Sequence, residues 1–367
     1  MAAWRVHAYG ALAELRLDEA RVPPLRAADE LLVRVHSSSL NPLDVAMIGG
    51  YGRHALNVLR ALEGARGGSG AGGAGVEFPL VVGRDFAGEV VAAGAATRLG
   101  RGARVWGALP PHWPGAHAQY VVVKERWAGE APSAGAMAGS PAAGGALYAA
   151  LTACSALRVA GLAGGRGGRG RRVLLLGLGG VGHAALQLLA RRGFDTLVGC
   201  AGELAERARA AGASAALDRH APDYAEQLAA SGPYEVILDC AGLGGWEASA
   251  RDRRWRFERY VTLTTPLLRY MDEWGSVLGG AAAAAELARQ SAAAAAAAPR
   301  GFPPPHVRWA YFYPRAEDIE LLRRLASRDQ LAVCVERAWG WREAGAAYAR
   351  AAQGHARGKL LIDFAAS

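Results

Sequence analysis

Residues Arg171 to Ala190 read RRVLLLGLGGVGHAALQLLA, and this stretch decides the fold. Val173 to Leu176 is a wholly apolar run, the pattern of a parallel strand covered on both faces. Gly177, Gly179 and Gly182 follow at G-x-G-x-x-G spacing, and an Ala/Leu-rich helical pattern begins at once. Gly177 permits the tight turn, Gly179 admits a pyrophosphate to the backbone, and Gly182 lets helix and strand pack closely. Gly180 and Val181 supply N–H groups at the positive end of the helix dipole, where phosphates bind. Among 49 glycines a bare spacing match would mean little. The strand before it and the helix after it make this a dinucleotide site.

Downstream, strands and helices alternate. Thr196 to Cys200 reads as a strand, Glu203 to Ala211 as a helix, and Tyr234–Asp239 and Tyr260 to Thr264 as further strands. That rhythm predicts a doubly wound parallel sheet. Gly279 to Ala298 reads as helix passing into alanine-rich low complexity. From Val307 come RWAYFY, a helix through Ala326, a strand near Ala332 to Glu336, another helix, and a last strand at Leu360 to Phe364.

Upstream the texture differs. Trp4 to Tyr9, Leu31 to Ser37, Phe78 to Gly94, Gly102 to Gly107 and Ala118 to Val123 are short strand patterns punctuated by Gly and Pro, which predict a barrel-like β domain. SLNPLDVAMIGGYG reads as a turn, a short helix and a glycine-bounded aromatic; Gly64 to Gly75 reads as a disordered surface insertion. Helical texture begins at Gly145. The boundaries expected are 1–150 for the β-rich domain, 151–304 for the nucleotide domain, and 305–367 for a tail returning to the first.

The 367 residues are 51 % hydrophobic and 20 % charged, the balance of a globular protein with a sizeable core. The net charge of +9 comes from scattered arginines, with Lys124 and Lys359 the only lysines. Scattered arginine predicts no nucleic-acid patch; the glycine-arginine loop from Gly161 to Arg172 is too short and too close to a buried strand to act as one. Cys154, Cys200, Cys240 and Cys334 are far apart and lack ligand spacing, as expected in a reducing compartment. No run is apolar enough to span a bilayer, and no targeting segment is visible ahead of the first strand.

A β-rich N-terminal domain, a central dinucleotide fold and a returning tail resemble the medium-chain dehydrogenase/reductase superfamily. SLNPLDVAMIGGYG, FPLVVGRDFAGEV, YAALTACSAL, YVTLTTPLL, HVRWAYFY and GHARGK narrow the likeness to its quinone-oxidoreductase-like members, over essentially the whole chain. The resemblance implies an α/β protein with a GroES-like domain and a Rossmann domain. It further implies an NADPH oxidoreductase acting on a small quinone or enone, in mitochondria, linked to ubiquinone biosynthesis. A reticulon-type membrane partner and a homodimer paired through sheet edges come from the resemblance alone.

Zinc enzymes of this superfamily carry Cys where this chain has Asn41, and His-Glu where it has Arg84-Asp85. A guanidinium has no lone pair to give a metal, and His36, His112 and His117 lack ligand spacing, so no metal is expected. The chemistry expected is direct hydride transfer to a conjugated acceptor, which is its own electron sink. Tyr51 is the candidate donor to the developing oxyanion, or else a packing aromatic; Asn41 is expected to face the acceptor, or else to cap the turn at Pro42. Asp44 and Asp85 are expected to be structural, holding loop backbone and Arg84 respectively.

For the cofactor, the second strand ends in Cys200-Ala201-Gly202 with no acidic residue to repel a 2′-phosphate, and Arg219 could pair with one; Glu203 argues mildly for NADH. By resemblance, Cys240 stands near the nicotinamide in place of Asn, and Leu263, Thr264, Tyr311, Phe312, His355, Ala356 and Arg357 contact the cofactor. The turn GLGGVG is one residue shorter than is usual in the related quinone reductases. A rival expectation is a cofactor-binding partner protein with little turnover.

Overall fold

The computed structural model describes residues 1–65, 77–164, 167–242, 255–298 and 302–365. The expected insertion therefore lies mostly outside the described residues. Two compact units emerge: Met1–Leu151 with Met271–Ser276 and Tyr313–Ser367, and Thr152–Tyr270 with Val277–Phe312.

The first unit opens with β1 (Ala2–Val6), β2 (Leu15–Glu19) and the long β3 (Glu30–Leu40). Helix α1 (Pro42–Ile48) starts where Pro42 presets the first helical φ, and α2 (Arg53–Ala65) follows. Strands β4 (Leu80–Val81), β5 (Asp85–Ala93), β6 (Arg104–Ala108), β7 (Tyr120–Lys124) and β8 (Ala128–Glu130) complete its first half. Alternate residues of β3 and β5 face inward, so Val33, Val35, Phe86 and Val90 pack with Val105, Trp113, Val123 and Trp127 in one buried cluster.

α3 (Leu147–Val159) leads into the second unit, with β9 (Arg172–Leu176), α4 (Gly180–Arg191), β10 (Asp195–Cys200), α5 (Ala205–Ala210), β11 (Ala215–Asp218), α6 (Tyr224–Ser231), β12 (Tyr234–Asp239) and β13 (Phe257–Thr262). Next come α7 (Leu267–Ala296), broken at Gly275 where φ is 76°, and β14 (His306–Trp309). The six strands are all parallel, in the order β11-β10-β9-β12-β13-β14. The chain adds strands on one side of β9 through β10 and β11, then crosses to the other side at β12, so the gap between β9 and β12 is the topological switch point.

The tail carries α8 (Ala316–Ala326), β15 (Val335–Gly340), α9 (Ala344–Ala352) and β16 (Lys359–Asp363). β16 pairs antiparallel with β3 and parallel with β15, closing the order β15-β16-β3-β5-β6-β8 with β7 also on β3. β14 is the sixth strand of the parallel sheet, so the tail joins the first unit from Tyr313 rather than from residue 305. Several elements go beyond the sequence reading: α2 is a full helix, β2, β8, β11 and β14 are additional strands, α6 is an additional helix, and α7 begins at Leu267.

Candidate functional site

In the second unit the positions expected to meet the cofactor gather at the carboxyl ends of the parallel strands. β9 ends at Leu176, and Gly177 turns the chain at φ +91°, a region that favours glycine. A Cβ on Gly182 would collide with the Gly177 carbonyl oxygen, so strand and helix touch there through bare backbone. Gly179, the N-cap of α4, faces open space within 4 Å of its missing Cβ. The first turn of α4 presents the N–H groups of Gly180, Val181 and Gly182 next to that opening, without intrahelical acceptors. This is a cradle suited to a diphosphate.

The neighbouring strand ends complete it. Cys240 N–H donates to Leu176 O at 2.9 Å, which sets Cys240 beside the glycine turn. Burial pushes its thiol up, with Asp239 adding to the shift, so it stays protonated. Asp239 Oδ1 accepts the Ala241 and Gly242 N–H groups, and Thr262 Oγ1 donates to Asp239 Oδ2 at 3.1 Å. Thr262 Oγ1 also accepts from Thr264 N–H at 3.1 Å, so Leu263 and Thr264 are held at the end of β13. Tyr311 and Phe312 follow β14, after Ala310 N–H bonds Thr262 O.

At the other flank Arg219 N–H donates to Cys200 O at 2.8 Å, which brings Arg219 to the end of β10. Its Nε donates to His220 Nε2 at 3.1 Å. Asp218 Oδ1 accepts from both Gly202 and His220 N–H at 3.0 Å. Sequence reading looked for a carboxylate on β10 and missed this one, which comes from the neighbouring β11.

Within the first unit, four charged side chains are buried around the start of α1. Asp44 Oδ2 accepts from Asn41 N–H at 2.8 Å and its Oδ1 from Gly83 N–H at 3.0 Å. Arg84 Nε stands 3.5 Å from Asp44 Oδ1, and the guanidinium donates to the carbonyls of Pro110, Pro111, Trp113 and Val81. Arg84 is therefore partnered by Asp44 and not by Asp85, which corrects the sequence expectation. Successive residues of an extended chain point to opposite sides, so Asp85 faces away from its neighbour. Its Oδ1 accepts from Ser39 Oγ at 2.7 Å and Asn41 Nδ2 at 3.3 Å, and its Oδ2 lies 3.8 Å from Lys359 Nζ. Burial raises both carboxyl pKa values, opposed at Asp44 chiefly by Arg84 and at Asp85 chiefly by Lys359.

Asn41 is buried, and its Oδ1 accepts from Lys359 Nζ at 2.7 Å. Tyr51 is half-buried between Gly50 and Gly52, both at positive φ, and its N–H donates to Ala46 O at 3.2 Å. His355, Ala356 and Arg357 form an exposed turn before β16, where Arg357 N–H donates to Glu336 Oε2 at 2.6 Å. Asn41, Tyr51 and this turn belong to the first unit, and the remaining predicted positions to the second. Lys359 and Asp272, which carry the bonds around Asn41 and Tyr51, were not singled out from sequence. His117 is fully buried, its Nε2 3.1 Å from Ser39 O and its Nδ1 2.9 Å from Tyr348 Oη. A carbonyl only accepts, so Nε2 carries the proton and Nδ1 accepts from Tyr348. Among the described residues no group of three His, Cys, Asp or Glu is gathered to hold a metal.

A GroES-like sheet domain joined to a six-stranded dinucleotide fold defines a medium-chain dehydrogenase/reductase, an NAD(P)H-dependent oxidoreductase. The alcohol dehydrogenase GroES-like domain family matches residues 27–133, and the zinc-binding dehydrogenase family matches residues 211–362. The chain is 34 % identical to NAD(P)H oxidoreductase RTN4IP1, mitochondrial, of Drosophila melanogaster, over 99 % of this chain and 86 % of that protein. It is 31 % identical to the Homo sapiens protein of the same name, over 99 % and 89 %. More particularly, then, the chain belongs to the RTN4IP1 family of this superfamily. The quinone oxidoreductase of Coxiella burnetii has the same fold, with a TM-score of 0.73 at 24 % identity over 99 % of both chains.

Proposed function

We propose that this oxidoreductase uses NADPH to reduce a quinone or another conjugated carbonyl by direct hydride transfer, without a metal. The observation that carries the cofactor reading is the opening at Gly179 above the first turn of α4. NADPH, when bound, supplies hydride from its nicotinamide C4. The N–H groups of Gly180, Val181 and Gly182 bind the diphosphate. Arg219 holds the 2′-phosphate as a planar donor fork, while Asp218 is engaged in capping the Gly202 and His220 backbone. Leu263, Thr264, Tyr311 and Phe312 line the nicotinamide end, and Cys240 packs there as a neutral thiol. His355, Ala356 and Arg357 are assigned as further cofactor contacts on the family resemblance.

Tyr51 donates a hydrogen bond to the acceptor oxygen as charge develops on it, and the Asn41 amide orients the acceptor. A metal-free route is supported by the donor set: Arg84 has only N–H groups to offer, and the Asn41 oxygen already accepts from Lys359. The relatives named above are mitochondrial by name, which supports a mitochondrial location. We assign the quinone chemistry to ubiquinone biosynthesis, and a reticulon-type membrane protein and a second copy of the chain as partners; one relative, from Caenorhabditis elegans, is named reticulon-4-interacting protein 1.

The test is oxidation of NADPH by metal-free protein with an ortho-quinone, repeated with NADH and with Tyr51→Phe. Fast, chelator-insensitive oxidation that prefers NADPH and slows in Tyr51→Phe is expected. NADPH binding without turnover would overturn the reading.

A further inference from the structure

Lys359 is one of two lysines in a chain whose lysines and arginines number 42. Its side chain is 9 % exposed, and its ammonium touches the amide of Asn41, 318 residues away in sequence. The contact has a direction built into it. An ammonium only donates, so at 2.7 Å it selects the oxygen end of the amide. An ionised carboxylate only accepts, so Asp85 Oδ1 selects the nitrogen end. Cation and anion thus grip opposite ends of one side chain, and the rotated amide would set N–H against N–H and oxygen against oxygen. Ser39 Oγ fixes Asp85 in turn. Asp85 Oδ2 is buried and has no hydrogen-bond partner among the described residues, which leaves Lys359, at 3.8 Å, as its near counter-charge.

We propose that Lys359 is the positioning residue of the acceptor site: it locks the Asn41 amide in one orientation and, as the near counter-charge, favours the charged form of Asp85 that holds the other end. The second Asn41 Nδ2 proton is then held in a fixed direction, ready to donate to the acceptor oxygen. This rests on the reading of Asn41 as an acceptor-orienting group. The Lys359 Cε lies 3.3 Å from where a Gly145 Cβ would be, so the bare backbone at Gly145 leaves room for the Lys359 alkyl chain.

The test uses the full chain with NADPH and 9,10-phenanthrenequinone, comparing wild type, Lys359→Met, Asn41→Ala and the double variant. Each single change is expected to lower kcat by up to about 100-fold, the scale of a misplaced catalytic group. NADPH affinity should be unchanged, and the double variant no slower than the worse single. Independent effects that multiply in the double variant would overturn the proposal. If Lys359→Met does not fold, Lys359→Met/Asp85→Asn removes both charges, with Asp85→Asn alone as its reference. That pair turning over at the reference rate would also overturn it. The side-chain amide resonance of Asn41, identified by its loss in Asn41→Ala, gives a readout free of turnover. It should shift and exchange faster with water when Lys359 is replaced; an unchanged resonance refutes the lock. A wild-type protein without turnover but with that shift would refute the quinone reading and leave the lock standing.

Discussion

The Asp272 carboxylate accepts the Gly52 N–H at 2.6 Å, across 220 residues of chain, and the His54 N–H at 3.0 Å. One side chain thereby caps the start of α2 and closes the loop that carries Tyr51. Gly50 and Gly52 bracket that tyrosine at φ 83° and 79°, a backbone that would otherwise sample many alternatives. Asp272→Ala is expected to cost about 2 kcal/mol, from losing charge-assisted hydrogen bonds at a helix start. Quinone turnover should fall with it while NADPH affinity holds. Denaturant melts and steady-state rates check both; a variant as stable and as fast as wild type would show that the cap does not organise the loop.

The proposed preference for NADPH rests on Arg219. Arg219→Ala is expected to weaken NADPH binding about 10- to 100-fold, the worth of a charge-assisted pair, and to leave NADH binding nearly unchanged. Titration of the protein's fluorescence with each cofactor measures it. Equal losses for both would place the 2′-phosphate elsewhere.

Two neighbouring glycines should fail in different ways. Gly182→Ala sets a methyl group against the Gly177 carbonyl and should cost about 1–3 kcal/mol of stability without any cofactor. Gly179→Ala meets only open space, so it should melt like the wild type yet bind NADPH far more weakly. Thermal melts with and without NADPH separate the two. A Gly179→Ala protein that binds normally would mean the phosphates do not use this turn.

Acid should weaken the fold through two histidines, His117 fully buried and His112 half-buried. Burial holds both His117 and His112 down at about 4, below the ordinary 6.5. Between those values the unfolded chain binds protons that the folded chain refuses, so stability falls as pH drops through the window and is fully present above it. Asp44 and Asp85 act oppositely: their raised pKa values favour folding most below 3.8, and that contribution is lost as pH rises through the raised values. Melting temperature is expected to decline from pH 6.5 to 4, and His117→Asn to flatten part of that slope. An unchanged slope would shift the effect to other groups.

The parallel sheet was legible because its central strands are buried on both faces and carry apolar runs, Val173 to Leu176 in β9 and Val236 to Leu238 in β12. β11 escaped because its four residues are at most half-buried and carry little pattern. In α2, glycines on either side masked an amphipathic stretch whose Leu56, Arg60 and Glu63 lie on one buried face. The glycine turn after β9 was legible for another local reason, since its backbone needs are written as glycine spacing. The groups around Asn41 were not. Arg84 and Asp85 are neighbours in sequence that serve different partners, and Lys359 and Asp272 act over hundreds of residues. A single sequence records such pairings only as two unrelated letters.

Arg84 makes the corner at residues 110–113 a lever. Pro110 and Pro111 have no N–H with which to brace that corner, and their carbonyls, with that of Trp113, are tied to the guanidinium instead. The same guanidinium leans on Asp44, which holds the Asn41 N–H through its other oxygen. Lengthening or shortening the corner would therefore retune the far end of this rod. Sequence drift in an apparently remote loop is a route by which acceptor preference could change with every residue around Asn41 left intact.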